Sequence, residues 1–331
     1  MVKTVPSVRQ RRERGLGGNG SRIRVVGSGQ SSVDHLCVVN RHPRLDGKQA
    51  LLRYEVQPGG QIPTALVALQ RWGISTAYVG TFADDPGGIL VRSALAWEGV
   101  DLRGSTTRRN TRQTVSVILV DRSTGERSVL SEPAPSKFEL PPVPESLLTQ
   151  AEILLLDATD MNHATHAAGA AKSLGVKVVL DIDRPQPGIE ELLRLTDVLV
   201  ASRDFFLLFT GEERMERALR KTARLGPWFV GATLGVGGAT AVIRDRTIFV
   251  PAHRVLPVDT TGAGDVFHAG CIYGLLWNWP PERTLRFAAV SAALKCRSLG
   301  GRPGIPRIEE VETLAERQPG VGALQNKATV P

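Results

Sequence analysis

Asp259-Thr260-Thr261-Gly262-Ala263-Gly264-Asp265 runs without a break into an apolar, helix-spaced stretch, Val266, Phe267, Ala269, Ile272, Tyr273, Leu275 and Leu276. A strand-like piece, Arg254-Val255-Leu256-Pro257-Val258, precedes it. The pattern predicts a strand, a small glycine-bearing loop and a helix whose first turn carries a carboxylate. Glycines let backbone amides approach an anion closely. The first amides of a helix lack internal partners and sit at the positive end of its dipole. Such a loop suits a phosphoryl group, with Asp265 placed to take a proton from an attacking hydroxyl. Thr-Gly-Ala-Gly alone would be explained by an ordinary strand–turn–helix junction with an aspartate cap. The full string through Asp265-Val266-Phe267 asks for more.

Outward from this loop the chain alternates. Strands are predicted at 153–156, 176–180, 198–200, 228–233 and 241–243, and helices at 163–174, 188–194, 205–209, 214–224, 263–277 and 283–298. That rhythm implies an α/β fold with a doubly wound, mostly parallel sheet. Nearer the N-terminus a strand at Ile23–Gly27, a helix over Ile62–Trp72 closed by Gly73, a strand at 76–80 and a helix at 89–97 fit the same scheme. Two stretches do not: 36–57, with a second strand expected within 45–57, and 112–131, with a hairpin at Arg122-Ser123-Thr124-Gly125. They are expected to form a separate small sheet over one edge of the main domain. Gly27-Ser28-Gly29 lacks the third glycine and the following helix of a dinucleotide fingerprint.

The 331 residues, 42% hydrophobic, can fill a sizeable core, with aromatics only 5%. The net charge is +8. Part of it is a basic arm over residues 1–21 without an apolar face, read as a solvated, disordered tail. Residues 22–316 are read as the main domain and 317–331 as a C-terminal tail. Cys37, Cys271 and Cys296 are widely spaced and show no metal-ligand pattern, so reduced thiols in a cytoplasmic protein are expected. No apolar stretch reaches membrane-spanning length.

The string Asp259–Phe267 resembles the second signature of the ribokinase-like (PfkB) carbohydrate kinases. Gly59-Gly60 with a helix ending Arg71-Trp72-Gly73 resembles the first. Phe82–Gly88 with Glu98–Asp101, Thr233-Leu234-Gly235 with Gly237-Gly238, and Ala292–Cys296 with Gly300–Pro306 resemble further family segments, so the likeness runs from Arg22 to about Leu314. It implies a ribokinase-like fold with a β-sheet lid made from two insertions, and an ATP-dependent sugar kinase. Asp265 would be the general base, with Gly262, Ala263 and Gly264 forming the anion hole. Asp34, Gly59, Gly60, Thr64 and Lys48 would meet the sugar, and Thr233, Gly235, Gly238 and Ser202 the nucleotide. Asp259 and Thr261 would sit by a K⁺-like ion, Mg²⁺ would arrive with ATP, and a homodimer is implied. Neither a nucleic-acid nor a membrane partner is.

The chain departs from the family at Ser202-Arg203-Asp204-Phe205, where an Asn-x-x-Glu motif is usual, and at Gln61 and Thr64. Leu180-Asp181-Ile182-Asp183, Asp265-Val266-Phe267-His268 and Ala293–Cys296 are similar to the bacterial 6-deoxy-6-sulfofructose kinases. Asp157-Ala158-Thr159-Asp160 lacks that branch's arginine. A ketose, pentose or related sugar, anionic ones included, is the expected acceptor. A nucleoside kinase of the same fold and a catalytically weak, ligand-binding family member remain open, as does a nucleic-acid role for the basic arm.

Overall fold

The computed structural model of the chain describes residues 22–132 and 138–317. The basic arm, residues 133–137 and residues 318–331 of the tail fall outside the described residues. β1 (Val25–Ser28) is followed by β2 (Ser32–Val39), β3 (Arg53–Gly59) and α1 (Gln61–Arg71). β4 (Thr76–Val79), β5 (Thr81–Ala83) and α2 (Pro86–Trp97) come next, α2 capped by the Asp85 side chain on the amide of Gly88. After β6 (Thr106–Arg108), β7 (Val115–Asp121) and β8 (Arg127–Ser131) form the expected hairpin. A short α3 (Glu145–Leu148) leads into β9 (Ile153–Asp157), α4 (Met161–Ser173), β10 (Lys177–Ile182), α5 (Ile189–Leu195), β11 (Val198–Ser202), α6 (Arg203–Thr210), α7 (Met215–Ala223) and β12 (Phe229–Thr233). The edge hairpin β13 (Ala239–Ile243) and β14 (Arg246–Val250) precedes α8 (Ala263–Leu276), α9 (Pro281–Lys295) and α10 (Ile308–Arg317).

The main sheet runs β14-β13-β12-β11-β10-β9-β1-β4. From β12 to β4 every pairing is parallel, and β13 and β14 are antiparallel. Alternate side chains of each buried strand feed opposite layers. Val25, Leu155 and Val179 join α1, α8 and α9 on one face, whereas Val26, Leu154, Leu156, Val178 and Leu180 join α4, α5, α6 and α7 on the other. Burial on both faces explains why these strands read as continuous apolar runs. Each fully buried Leu, Val or Ile contributes about 1.5–3 kcal/mol. An aromatic group fills the junction of α1, α8 and α9: Trp72 lies edge-on to Phe287 at 5.5 Å, Tyr273 stacks on Phe287 at 5.3 Å, and Trp279 closes the group.

The second sheet has the order β3-β2-β7-β8, with β2 and β7 parallel and both outer pairs antiparallel. Leu36, Ile118 and Val120 pack on Leu299, so this sheet leans on the segment after α9. It is the ribokinase-like arrangement of a parallel α/β body with a small β-sheet made from two insertions.

Several local expectations are corrected. Residues 45–52 lie outside any strand, and the return strand starts only at Arg53. Residues 254–258 are not a strand either. Pro257 has no amide to give a ladder, and the amide of Val258 donates to Cys296 O at 2.7 Å instead. The pair β5–β6, the outermost strand β14 and helices α3 and α10 were not anticipated. Among the described residues no helix is long and apolar enough to cross a membrane.

Candidate active site

The site gathers at the C-terminal ends of β9, β10 and β11, the usual crevice of an open parallel sheet. α8 starts there. Its N-cap, Gly262, has φ +77° and no side-chain cap. A β-carbon on Gly262 would stand 2.7 Å from the α-carbon of Gly301, so only glycine fits both the left-handed turn and the contact. The amide of Ala263 is spent on Thr260 O at 3.2 Å. The amides of Gly262, Gly264 and Asp265 have no protein acceptor recorded among the described residues, and Gly264 is exposed. An uncapped helix start with free, reachable amides is what an anion requires.

Asp265 lies in the first turn of α8 with a narrow opening to solvent. Its recessed position, then the neighbouring Asp181 carboxyl, push its pKa up to about 8 against the pull of His268 and Arg127. Asp181 is the penultimate residue of β10, and burial raises it well above the usual carboxylate range. One of its oxygens, Oδ2, accepts no hydrogen bond and lies 3.3 Å from His268 Nδ1. His268 sits under α8 with Nδ1 2.9 Å from Gly264 O and Nε2 3.0 Å from Val200 O. Both neighbours are acceptors, so a neutral ring satisfies only one of them, while burial lowers the imidazole pKa. With the proton on Nε2, His268 donates to Val200 O and ties α8 to β11. At the end of β9, Asp157 accepts from the amides of Gln30 (2.8 Å) and Thr159 (3.0 Å), and burial pushes it up to about 6. Sequence reading passed over Asp157 and Asp181 as site residues. Their position at the ends of predicted parallel strands was the available signal.

A second group comes from the small sheet and α1. Asp34, on β2, is buried and accepts from Ser32 Oγ at 2.8 Å. Burial raises its pKa, and the Ser32 bond and the Arg302 guanidinium pull it back. A side chain on Gly59 would overlap the Asp34 carboxylate. Gly60, φ +102°, starts α1 and accepts from the Thr64 amide at 3.0 Å. A β-carbon on Gly301 would touch Thr64 Oγ1 at 3.5 Å. Gly301 therefore stands between Thr64 and Gly262 and joins this group to the α8 loop. Gln61 donates to Asp183 Oδ2 at 2.8 Å, tying α1 to the end of β10. Lys48, also anticipated here, is exposed in the connection between β2 and β3.

The small sheet also reaches the loop from above. Gly125 O, in the β7–β8 turn, accepts from the Thr260 amide at 3.0 Å. Arg127 donates from Nη1 to Thr260 Oγ1 at 3.1 Å. Arg127 was not foreseen; it is one of many exposed arginines in the sequence. Asp259, anticipated beside a cation with Thr261, is fully buried. Its Oδ1 accepts from Thr261 N (2.8 Å) and Thr261 Oγ1 (2.7 Å), its Oδ2 from Gly300 N (2.7 Å) and its carbonyl from Lys295 Nζ (2.9 Å).

The anticipated nucleotide residues fall at the ends of β11 and β12 and in the turn that follows β12. Ser202 and Thr233 are register partners at the ends of β11 and β12. Gly235 (φ +56°) and Gly238 (φ +96°) bracket a tight turn whose tip, Val236, is fully exposed. Ser202 caps α6 through the amide of Phe205 at 3.4 Å. Phe205 is buried and stacks on Phe209 at 5.6 Å, so this position offers no metal ligand.

Comparison with known proteins agrees with this geometry. The profile described as pfkB family carbohydrate kinase matches residues 23–308. The ribokinase of Haemophilus influenzae is 28% identical over 290 residues, covering 85% of this chain and 95% of that protein. The fructokinase of Klebsiella pneumoniae is 29% identical over 292 residues, covering 81% of this chain and 94% of its own length. Among solved structures, Arabidopsis thaliana ribokinase, complexed with ribose and ATP, superposes with a TM-score of 0.77 at 25% identity, covering 89% of this chain and 99% of that one.

Proposed function

Because the chain belongs to the pfkB family of carbohydrate kinases, we propose that it is an ATP-dependent kinase that phosphorylates a hydroxyl of a pentose or ketose. One observation carries the reading: the unpartnered amides at the start of α8 stand beside Asp265, and Gly301 links them to the Asp34–Gly59–Thr64 group. Asp34 would accept two sugar hydroxyls, as a carboxylate can. Asp265 would take the proton of the attacking hydroxyl while the amides of Gly262, Gly264 and Asp265 stabilise the moving phosphoryl. Ser202, Thr233, Gly235 and Gly238 would hold the nucleotide. The Gly125–Thr260 contact would let the small sheet act as a lid that keeps water from the phosphoryl group.

Mg²⁺ neutralises phosphate charge in such transfers. Among the described residues no cluster of three His, Cys, Asp or Glu could hold it, so it would come on the ATP phosphates and waters. An uncharged sugar is favoured over a sulfonated or phosphorylated one. Lys48 is exposed with no hydrogen bond or ion pair to the cluster among the described residues, and Arg302 is buried with Nη2 on Gly59 O at 3.1 Å. The exposed apolar residues Tyr54, Val56, Val129 and Leu130 on the small sheet suit a homodimer, and three buried free cysteines suit the cytoplasm.

The test is a coupled assay of ADP release over ribose, fructose, 2-keto-3-deoxygluconate, sulfofructose, fructose 6-phosphate and adenosine. Turnover confined to ribose, fructose or a related neutral sugar supports the proposal. Preference for adenosine or sulfofructose replaces the substrate class, and no turnover with any acceptor refutes the kinase reading.

A further inference from the structure

A K⁺-like ion is implied beside the anion hole by family likeness, but the residues present do not fit one. Both carboxylate oxygens of Asp259 already accept from Thr261 and Gly300. Such N–H and O–H donors take up lone pairs that a cation would need. The main-chain oxygen of Asp259 faces another cation, Lys295 Nζ, at 2.9 Å. Asp259 and Lys295 are both 0% exposed.

We infer that the Lys295 ammonium is a built-in replacement for the monovalent ion, and that it positions the Asp259–Asp265 loop for phosphoryl transfer without K⁺. A lysine ammonium is a compact single charge with three donors on a flexible stem. It carries the charge of K⁺ but is supplied by the chain. Lys295 is the last residue of α9, where the helix dipole favours a cation. The next carbonyl, Cys296 O, receives the amides of Val258 (2.7 Å) and Asp259 (3.2 Å). The end of α9 therefore grips the loop by backbone and by charge. Burial lowers the lysine pKa, and the Asp259 carboxylate opposes that. An apolar side chain would fill this place without the desolvation cost of an ammonium. The charge is thus the feature that calls for a role, namely a fixed positive potential behind amides that meet developing negative charge.

The inference rests on the kinase reading, and its test separates the two. For the full chain, kcat, the sugar KM and the melting temperature are measured with Mg-ATP in KCl, NaCl and choline chloride at equal ionic strength. Wild-type values are expected to agree within about twofold in rate across the salts, with no K⁺-specific rise in melting temperature. Lys295→Met should lose about a hundredfold in kcat in choline, as when one preorganised transition-state contact is removed. Its sugar KM should change by less than about threefold, and KCl should restore part of the rate. Wild-type activation by K⁺ beyond about threefold, a K⁺-specific stabilisation of the wild type, or full activity of Lys295→Met in choline would overturn the inference. If Lys295→Met does not fold, the wild-type salt series decides alone. If no sugar turns over in any salt, the kinase reading fails, and the melting temperatures still judge the ammonium.

Discussion

Asp265→Asn separates chemistry from stability in one substitution. The carboxyl is pushed up to about 8 by its recess and by Asp181. Only about a tenth of it is ionised at neutral pH, so the kcat/KM of the wild type should climb roughly tenfold per pH unit and level off near its own pKa. Removing the base should cost about 10²–10⁴ in rate. Asp181→Asn should move the rising limb toward lower pH, because Asp181 is the largest charge acting on Asp265. The stability effect has the opposite sign from the catalytic one. The folded pKa lies above the unfolded value of 3.8, so the folded chain holds a proton that the unfolded chain releases. The stability due to Asp265 is therefore fully present below the unfolded value and is lost as pH rises toward about 8, at up to about 1.4 kcal/mol per unit. Asn does not titrate. The variant should melt higher than the wild type, by a margin that widens with pH across this window and then stays constant. Coupled kinetics on the best sugar and calorimetry over the same buffers measure both effects. A flat wild-type profile, or more than about one hundredth of the activity left in Asp265→Asn, would refute the assignment of the base.

Three further outcomes are expected. Gly262→Ala, facing a left-handed φ and a 2.7 Å approach to Gly301, should destabilise by about 1–3 kcal/mol and lower kcat, read by thermal melts and turnover. Asp34→Asn should raise the sugar KM roughly ten- to a hundredfold, the worth of hydrogen bonds to a charged group, and leave the ATP KM unchanged in a two-substrate titration. Arg127→Ala should reduce kcat about tenfold with little change in the sugar KM, since its guanidinium stands at Thr260 and not at Asp34; a pure KM effect would place it at the sugar instead.

The fold was readable wherever burial is two-sided. β9 and β12 are apolar up to their last residue, β10 has the apolar run Val178–Leu180, and α1 and α8 carry glycines at their starts, so these elements stand out. The small elements were hidden. β5 and β6 are three residues each, and residues 45–52, read with the return strand, lie outside it. Arg254–Val258 has strand composition, yet Pro257 and the pull of Cys296 O keep it out of the sheet. In the site, the loop and Asp265 were legible because a phosphate loop is a local motif. Arg127, Asp157, Asp181, Lys295 and Arg302 were not given roles. Each acts across a long sequence separation, and only Asp157 and Asp181, directly after the predicted strands 153–156 and 176–180, carry a local mark.

The segment after α9 joins the two halves of the proposed site. Lys295 holds the Asp259 carbonyl, Gly300 N holds the Asp259 carboxylate, Gly301 lies against Gly262 and Thr64, and Arg302 holds the Gly59 carbonyl. Four contacts within eight residues thus fix the phosphoryl loop and the sugar group to one short stretch of backbone. Leu299, in the same stretch, is the floor on which Leu36, Ile118 and Val120 of the small sheet rest. A lid movement that presses on Leu299 therefore acts on a segment already bonded to both reacting partners. Phosphoryl transfer depends on bringing oxygen and phosphorus into line more than on any reactive side chain. On the proposed reading, a shared strut of this kind would couple closure over the sugar to alignment of the anion hole, through two buried cationic side chains that backbone carbonyls hold in place.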